Sequence, residues 1–391
     1  MTSSLVAHEA GCALRRGILD VPVGELRAWL AERDEKPLRA KQIRRWLLVG
    51  GAESFEAMSD LPKALREQLA EAFVPFASQV VRQLEADDGT NKLLVRLHDG
   101  QLIECVLIQE DKRRTACIST QVGCGMGCVF CASGLAGVER NLTTGEILEQ
   151  LIRLRNLPLW QGSARVPSAQ SVERLTNIVV MGMGEPLANL ENLIETLDVA
   201  ASKEGLAVGA RHITISTVGL PAKIRRLADL GKQYHLAVSL HAPNDALRNR
   251  IVPTNDKTGL EAILAAADYF FQKTGRQVTF EYVLLGGIND DVTHARELAR
   301  LLEGRRAHVN LIPFNDVPGL PYRRPTPEAL AAFTAPLKQH GISVKVRKRK
   351  GAQIDAACGQ LRRSQELGVR NQEPGISSQR SEDERKLTID N

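Results

Sequence analysis

The chain has 391 residues, 43% of them hydrophobic and 25% charged, with a formal net charge of +5. That length suits one large domain or two to three ordinary ones, and the apolar content is enough for a sizeable core. No run of about 18 apolar residues exists, which excludes a membrane-spanning helix; Met1 to Arg16 lacks the apolar stretch of a secretory signal, so a cytoplasmic protein without a membrane partner is expected.

From Val23, apolar residues spaced three and four apart (Leu26, Trp29, Leu30) predict a helix ending near Asp34-Glu-Lys-Pro37. A second helix runs from Leu38 to about Val49, stopped by Gly50-Gly51, and carries Arg39, Lys41, Arg44 and Arg45 beside Trp46. A third runs to about Phe73, with Asp60 as its N-cap and Pro62 just inside. These predict a small helical accessory domain over 1–76. Its basic helix reads either as a solvated outer face or as a phosphate-contacting surface. Over 77–109, Asp87-Asp88-Gly89 and His98-Asp99-Gly100 separate apolar runs. Asp-Gly steps in that setting signal β-hairpins, and a short antiparallel connector sheet is expected.

From Thr115 strand and helix alternate. Strands are expected at Thr115–Thr120, Asn177–Met181, His212–Ser216, His235–Leu240, Val278–Leu285, His308–Pro313 and Ile342–Val346. Helices are expected from Thr143 to about Leu154, and over Leu190–Ser202, Pro221–Leu230, Gly259–Lys273, Asp290–Leu302 and Thr326–His340. Residues 157–174 read as a polar surface loop. The alternation predicts a parallel sheet. No dinucleotide glycine fingerprint is present, so the expected fold is α/β: an open, partial barrel over 110–351, with its site at the C-terminal ends of the strands. A short cysteine-bearing loop over 352–365 follows, and a polar tail over 366–391 with the composition of a disordered segment.

Seven cysteines in a cytosolic chain suit metal binding or catalysis better than a disulfide framework. Three of them form Cys124-Gly-Met-Gly-Cys128-Val-Phe-Cys131. Three thiolates on an iron–sulfur cluster leave one iron open to a small ligand. The alternative is structural zinc, which takes four ligands, and no second pair or nearby His completes such a set. Strand ends supply Gly184-Glu185, Ser216-Thr217, Ser239-Leu240-His241 and Asn315. Each alone reads as a turn or helix cap; four in series point to one shared pocket. Lys345-Val-Arg-Lys-Arg-Lys350, flanked by Arg323, Arg324, Arg362 and Arg363, reads as a solvated face or a phosphate clamp for RNA.

The CxxxCxxC spacing, with Phe130 before the last Cys, resembles the motif of the radical S-adenosylmethionine (SAM) superfamily. Further segments resemble the RlmN-type adenosine methyltransferases within it: Gln121-Val-Gly-Cys124 onward, Arg140-Asn-Leu142, Met181-Gly-Met-Gly-Glu-Pro186, Ser239-Leu-His-Ala-Pro-Asn-Asp245, Asn310-Leu-Ile-Pro-Phe-Asn315 and Ile354-Asp-Ala-Ala-Cys-Gly-Gln-Leu361. With the N-terminal helices, the resemblance covers nearly the whole chain.

The resemblance implies that Cys124, Cys128 and Cys131 hold a 4Fe–4S cluster whose open iron is chelated by SAM. It places Gly184, Glu185, Ser216, Ser239, Leu240, His241 and Asn315 in the SAM pocket. It makes Cys358 the methyl carrier, Cys117 its thiol partner and Glu104 the base. Carbon 2 of adenine is electron-poor, so polar methyl transfer should fail there. The family's route uses two SAM: one methylates Cys358, and the second yields a radical that takes hydrogen from the S-methyl group. The carbon adds to adenine, Glu104 takes the ring proton, and Cys117 attacks the Cys358 sulfur to form a transient disulfide. Expected substrates are one adenosine of 23S rRNA and, in many members, the adenosine 3′ of the tRNA anticodon. The expected partner is an electron donor such as flavodoxin or ferredoxin, with the chain acting as a monomer. The rival readings are the sister group that methylates carbon 8 of the same rRNA adenosine and, from another class, a non-catalytic iron–sulfur RNA-binding protein. The long accessory domain and the MGMGEP and IDAACGQL forms favour carbon 2. Cys12 and Cys105 match no functional position and read as structural.

Overall fold

The computed structural model describes residues 15–110, 112–159 and 174–362. The expected loop at 157–174 for the most part, the tail over 366–391, Cys12 and Arg363 lie outside these residues. The elements in chain order are β1 (Arg16–Gly17), α1 (Val23–Ala31), α2 (Leu38–Leu48), α3 (Lys63–Ala72), β2 (Phe73–Val74), β3 (Gln79–Glu85), β4 (Thr90–Arg96), β5 (Leu102–Glu110), β6 (Arg113–Cys117), β7 (Gln121–Gly123), β8 (Val138–Asn141) and α4 (Thr144–Asn156). Then follow β9 (Asn177–Val180), α5 (Leu190–Ala201), β10 (Ile213–Thr217), α6 (Pro221–Asp229), β11 (His235–Ser239), α7 (Asp245–Ile251), α8 (Leu260–Thr274), β12 (Val278–Leu284), α9 (Val292–Leu301), β13 (Ala307–Pro313), α10 (Pro327–Gln339) and β14 (Ser343–Val346).

One ten-stranded sheet carries the molecule, in the order β14-β13-β12-β11-β10-β9-β6-β5-β4-β3. The strands from β6 to β14 in that order run parallel, each joined to the next through a helix. This is the expected (β/α)6 partial barrel, closed off by a last strand. Each parallel strand turns an apolar face to the helices, as Val278, Phe280, Tyr282 and Leu284 do along β12, while the alternate face, with Glu281 and Val283, looks into the barrel mouth. The hairpins differ from expectation in one respect. β3, β4 and β5 do not form a sheet of their own; β5 pairs antiparallel with β6 and extends the barrel sheet. Glu104 on β5 and Cys117 on β6 therefore belong to neighbouring strands. Helix α7 and the small β7–β8 hairpin were not expected. Among the described residues, no helix is long and apolar enough to cross a membrane.

Prolines at 22, 37 and 62 open the three N-terminal helices, where a missing N–H costs nothing. Pro62, not Asp60, is the N-cap of α3; the Asp60 carboxylate instead accepts from Gln42 Nε2 (3.0 Å) and from the Trp46 indole, tying α3 to α2. Along the basic helix Arg39 bonds Glu35 (3.2 Å) and Arg44 is half-buried with Glu195 near it, while Lys41 pairs with Glu204 (2.6 Å) with both side chains mostly exposed, as on a solvated face.

Helix α4 joins the helical region to the barrel. Its Leu148 and Ile152 complete the apolar core formed by Leu26, Leu30, Ile43, Leu47, Leu65 and Leu69. Both its ends are tied across the junction. At the N-terminus Thr143 and Glu146 form a capping box, and Asp20 adds a carboxylate that accepts from Gly145 N–H (2.6 Å) and Thr143 Oγ1 (3.0 Å). At the other end Arg155 donates to the Leu47 and Leu48 carbonyls that α2 leaves unpaired. Any Cβ at Gly145 would collide with the Asp20 carboxylate, so glycine is needed there. Asp20→Ala is expected to lower stability by about 1–2 kcal/mol, read as a lower urea midpoint with unchanged slope.

Candidate active site

The β7–β8 hairpin clasps the cysteine loop. Cys124 N–H donates to the Gly137 carbonyl (2.8 Å), Val129 N–H to Ile251 (3.1 Å), and Ala132 N–H to Gly359 (2.8 Å). Gly123 sits at φ 76° with the Gly137 carbonyl where a Cβ would be, so only glycine permits this close approach. Cys124, Cys128 and Cys131 line one open cavity of about 910 Å³ at the C-terminal ends of the strands. Burial first, and then mutual repulsion, pushes all three thiols up, Cys124 to about 12. Three thiolates cannot sit there together without a positively charged core to neutralise them, which is what an iron–sulfur cluster supplies. Among the described residues, no three His, Cys, Asp or Glu side chains converge as a single metal ion needs. A cluster does not require that, because each thiolate takes a different iron. The residues therefore fit the cluster better than zinc.

Gly184, Glu185, Ser216, Ser239, His241 and Asn315 line the same cavity; Leu240 does not, and its N–H and C=O are held by Glu281 and Arg248. Gly184 has φ 102°, and a Cβ would lie 2.7–2.8 Å from Gln121. Glu185 accepts Val218 N–H (2.8 Å) and Leu187 N–H (3.0 Å), bridging two strand ends, and burial raises its pKa. His241 accepts Val283 N–H on Nδ1 (3.0 Å) and packs edge-on against Phe130 with ring centroids 4.9 Å apart. Burial, with Arg248 nearby, pushes His241 down to about 3, so the ring is neutral.

A second cavity, of about 610 Å³, adjoins the first. Cys117 lines it, together with Arg324, Lys348, Arg349 and Lys350. The two cavities share Met181, Ile312, Asn315, Arg347 and Cys358, so Cys358 stands in the wall between the cysteine triplet and a basic opening. Its loop is held by Asn315 Nδ2 donating to the Cys358 carbonyl (3.1 Å), Ser133 Oγ to Leu361 (2.6 Å) and Gln360 Nε2 to Asp316 (2.7 Å). Glu104 lines neither cavity but reaches the loop, accepting Arg362 N–H (3.0 Å). Burial and the Cys358 sulfur push the Cys117 thiol up to about 12. Cys105, on the strand beside it, is wholly buried and pushed up further.

Three functional groups escaped the sequence reading. Arg347 belongs to the basic run but turns inward; the Cys358 sulfur, ahead of Glu281 and Cys117, holds its pKa above the ordinary value. Glu281 lines the first cavity and bonds Asn310 Nδ2 (2.8 Å). Lys92 pairs with Glu104 at 3.0 Å.

Residues 164–299 match the model of the radical SAM superfamily. With the cysteine loop at the mouth of an open (β/α)6 barrel, they define a radical SAM enzyme. Residues 17–74 match the "Ribosomal RNA large subunit methyltransferase N-terminal domain". The chain is 55% identical over 347 residues to the "Probable dual-specificity RNA methyltransferase RlmN" of Rhodopirellula baltica, covering 89% of this chain and 91% of that one. It is 45% identical to the protein of the same name from Bacillus licheniformis, over 89% and 94%. A crystal structure of a radical SAM methyltransferase from Sphaerobacter thermophilus superposes with a TM-score of 0.83 at 44% identity, over 89% of this chain and 99% of that one. The chain belongs to the RlmN family.

The neutral His241 has a stability consequence. Its folded value near 3 lies below the unfolded 6.5. As pH falls through 6.5 only the unfolded chain takes the proton, so stability is lost steadily toward pH 3. Between pH 6.5 and 5 the parent should lose roughly 1.5 kcal/mol more than His241→Asn, measured by urea unfolding at both pH values.

Proposed function

We propose that the chain methylates carbon 2 of an adenosine in 23S rRNA and of the adenosine 3′ of the anticodon in tRNA. The dual-specificity and large-subunit names of its relatives support the two RNA classes. The observation that carries the chemistry is Cys358 in the wall between two cavities, with the metal-binding cysteines on one side and Cys117 among cations on the other. A carrier that must take a methyl group on one side and deliver it to RNA on the other belongs in that place.

Cys124, Cys128 and Cys131 would hold the 4Fe–4S cluster, and Ser216, Ser239 and His241 would line the pocket for SAM beside it. When bound, this pair supplies the methyl group and the one-electron chemistry that an electron-poor ring carbon requires; a flavodoxin or ferredoxin would serve as donor. The chain's own groups do the rest. Cys358 carries the carbon to the ring. Glu104 takes the ring proton. The Cys117 thiolate attacks the Cys358 sulfur; an S–S bond forms, the C–S pair leaves with the carbon, and a proton completes the methyl group. The charge of Arg347 works against the rise that burial imposes on the Cys117 thiol. Lys348, Arg349 and Lys350 at the second opening suit the phosphates of a bound RNA.

Incubation with SAM, reductant and 23S rRNA and tRNA fragments should give 2-methyladenosine by nucleoside mass spectrometry; 8-methyladenosine would assign the chain to the sister activity. Cys358→Ala should methylate nothing, whereas parent-like behaviour would support a non-catalytic RNA-binding protein. Cys117→Ala should accumulate a covalent protein–RNA adduct on denaturing gels, and its absence under turnover would remove the resolving role.

A further inference from the structure

Lys92 is a charged side chain on a strand near the edge of the sheet, yet it is only 7% exposed. Its Nζ lies 3.0 Å from Glu104 Oε1 and donates to the Asp355 carbonyl at 3.1 Å. The second carboxylate oxygen of Glu104 accepts Arg362 N–H at 3.0 Å. In the β4–β5 register Leu94 faces Glu104 and Lys92 faces Val106, so Lys92 and Glu104 are diagonal neighbours on one face of the sheet. Asp355 and Arg362 are the two shoulders of the loop that carries Cys358. One buried ion pair thus grips both ends of that loop.

Stability does not explain the pair. A buried ion pair is commonly no better for stability than two apolar side chains of similar volume. Nor does the loop depend on it for attachment. Gly351 N–H donates to Asp88 (2.9 Å), Gln353 bonds Asp87 (2.9 Å), and Asn315 and Ser133 hold the far side. What Lys92 alone adds is a fixed direction for the Glu104 carboxylate, keyed to the seated loop.

We propose that Lys92 is the positioning residue for proton abstraction: it orients Glu104 toward the carbon carried by Cys358 and ties that orientation to the docked carrier loop. The inference rests on Glu104 as the base. In the step it serves, the ring C–H bond of the adduct breaks, the proton passes to a Glu104 oxygen, and the bonding pair returns to the ring. A carboxylate released from Lys92 can swing away, and the adduct then waits for its proton to be removed.

The test uses the full chain with reconstituted cluster, SAM and an RNA fragment, comparing the parent with Lys92→Met, Lys92→Arg and Glu104→Gln. Two quantities are read: methylation of the Cys358 peptide by mass spectrometry, and covalent protein–RNA adduct on a denaturing gel. Lys92→Met should methylate Cys358 as the parent does, form product about tenfold more slowly or worse, and accumulate about tenfold more adduct. Lys92→Arg, which keeps the charge, should return both values to within about threefold of the parent. Parent-like adduct and turnover in Lys92→Met overturn the assignment. So does a Lys92→Met protein that fails to fold, or that loses Cys358 methylation together with the adduct, since Lys92 is then a structural residue. Adduct in Glu104→Gln but not in Lys92→Met overturns this inference alone; no adduct in Glu104→Gln removes the base role itself.

Discussion

The seating of residues 351–362 against the mouth of the barrel is the contact on which the rest of the site depends. Cys358 arrives from behind the last strand and Cys117 from the first parallel strand, and the open barrel keeps those two strands apart in the sheet. Only the return of the loop brings the sulfurs to one wall. It is held from three directions: by the hairpin strands through Asp88 and Glu104, by the cysteine loop through Ala132 and Ser133, and by the end of β13 through Asn315. Most of these contacts use loop backbone, so the Cys358 side chain stays free for chemistry. The antiparallel extension of the sheet has a purpose in this light: without β4 and β5 there is nothing on that side for the loop to dock against.

Charge at the site follows from burial. Cys117, Cys124, Cys128 and Cys131 are pushed toward the neutral thiol by loss of water, whereas the proposed chemistry needs thiolates. Cys105 is pushed up too, but lines neither cavity. For two of the four the fold supplies positive charge. Arg347 acts on Cys117. Arg248 is buried near Cys128, with its guanidinium donating to the carbonyls of Val218, Ser239 and Leu240 and to the Asn255 side chain. Carbonyls hold an arginine in place without cancelling its charge as a carboxylate would. The same arginine therefore fixes two strand ends that bear pocket residues and leaves a net positive potential beside a metal-binding thiol.

The parallel strands were legible because each is a short apolar run between helices, and the cysteine triplet because its ligands are close in sequence. Helix α7 was not, since seven residues beginning at Asp245 are too few for a period to show; its marker is the Asn244 cap, which accepts Leu247 N–H at 2.9 Å. Glu104 and Cys117 entered through a resemblance, and composition alone would have left them as a strand carboxylate and a small apolar residue. Lys92, Glu281 and Arg347 were missed for a common reason. Each is a polar residue in or just after a strand; Lys92 and Glu281 are buried, and Arg347 is drawn to the cavity wall beside the distant Cys358. Local pattern reports which way a side chain points, but not whether something later covers it. The N-terminal cations have partners that the pattern does not show: Glu35, Glu195 and Glu204 lie on several elements, and only the packing brings them together.

The loop that carries Cys358 combines tight seating with a strained backbone. Gly351 is at φ 62°, where a Cβ would press on Thr90 and Ala356 at 2.7–2.8 Å, Gly359 is at φ 85°, and Asp355 adopts φ 50° without being a glycine. A left-handed non-glycine residue costs about 1 kcal/mol, and here the Asp355 carbonyl is the one that Lys92 holds. The ammonium proposed to orient the base thus also holds the carbonyl of the strained residue. Removing strain from such a loop would make docking more favourable but slower to reverse. In the proposed reaction the carrier meets SAM on one side of its wall and, later, Cys117 and RNA on the other. A loop fastened through several backbone hydrogen bonds, with one residue under strain, is stable enough to hold a sulfur in line and close enough to release for that sulfur to change partners.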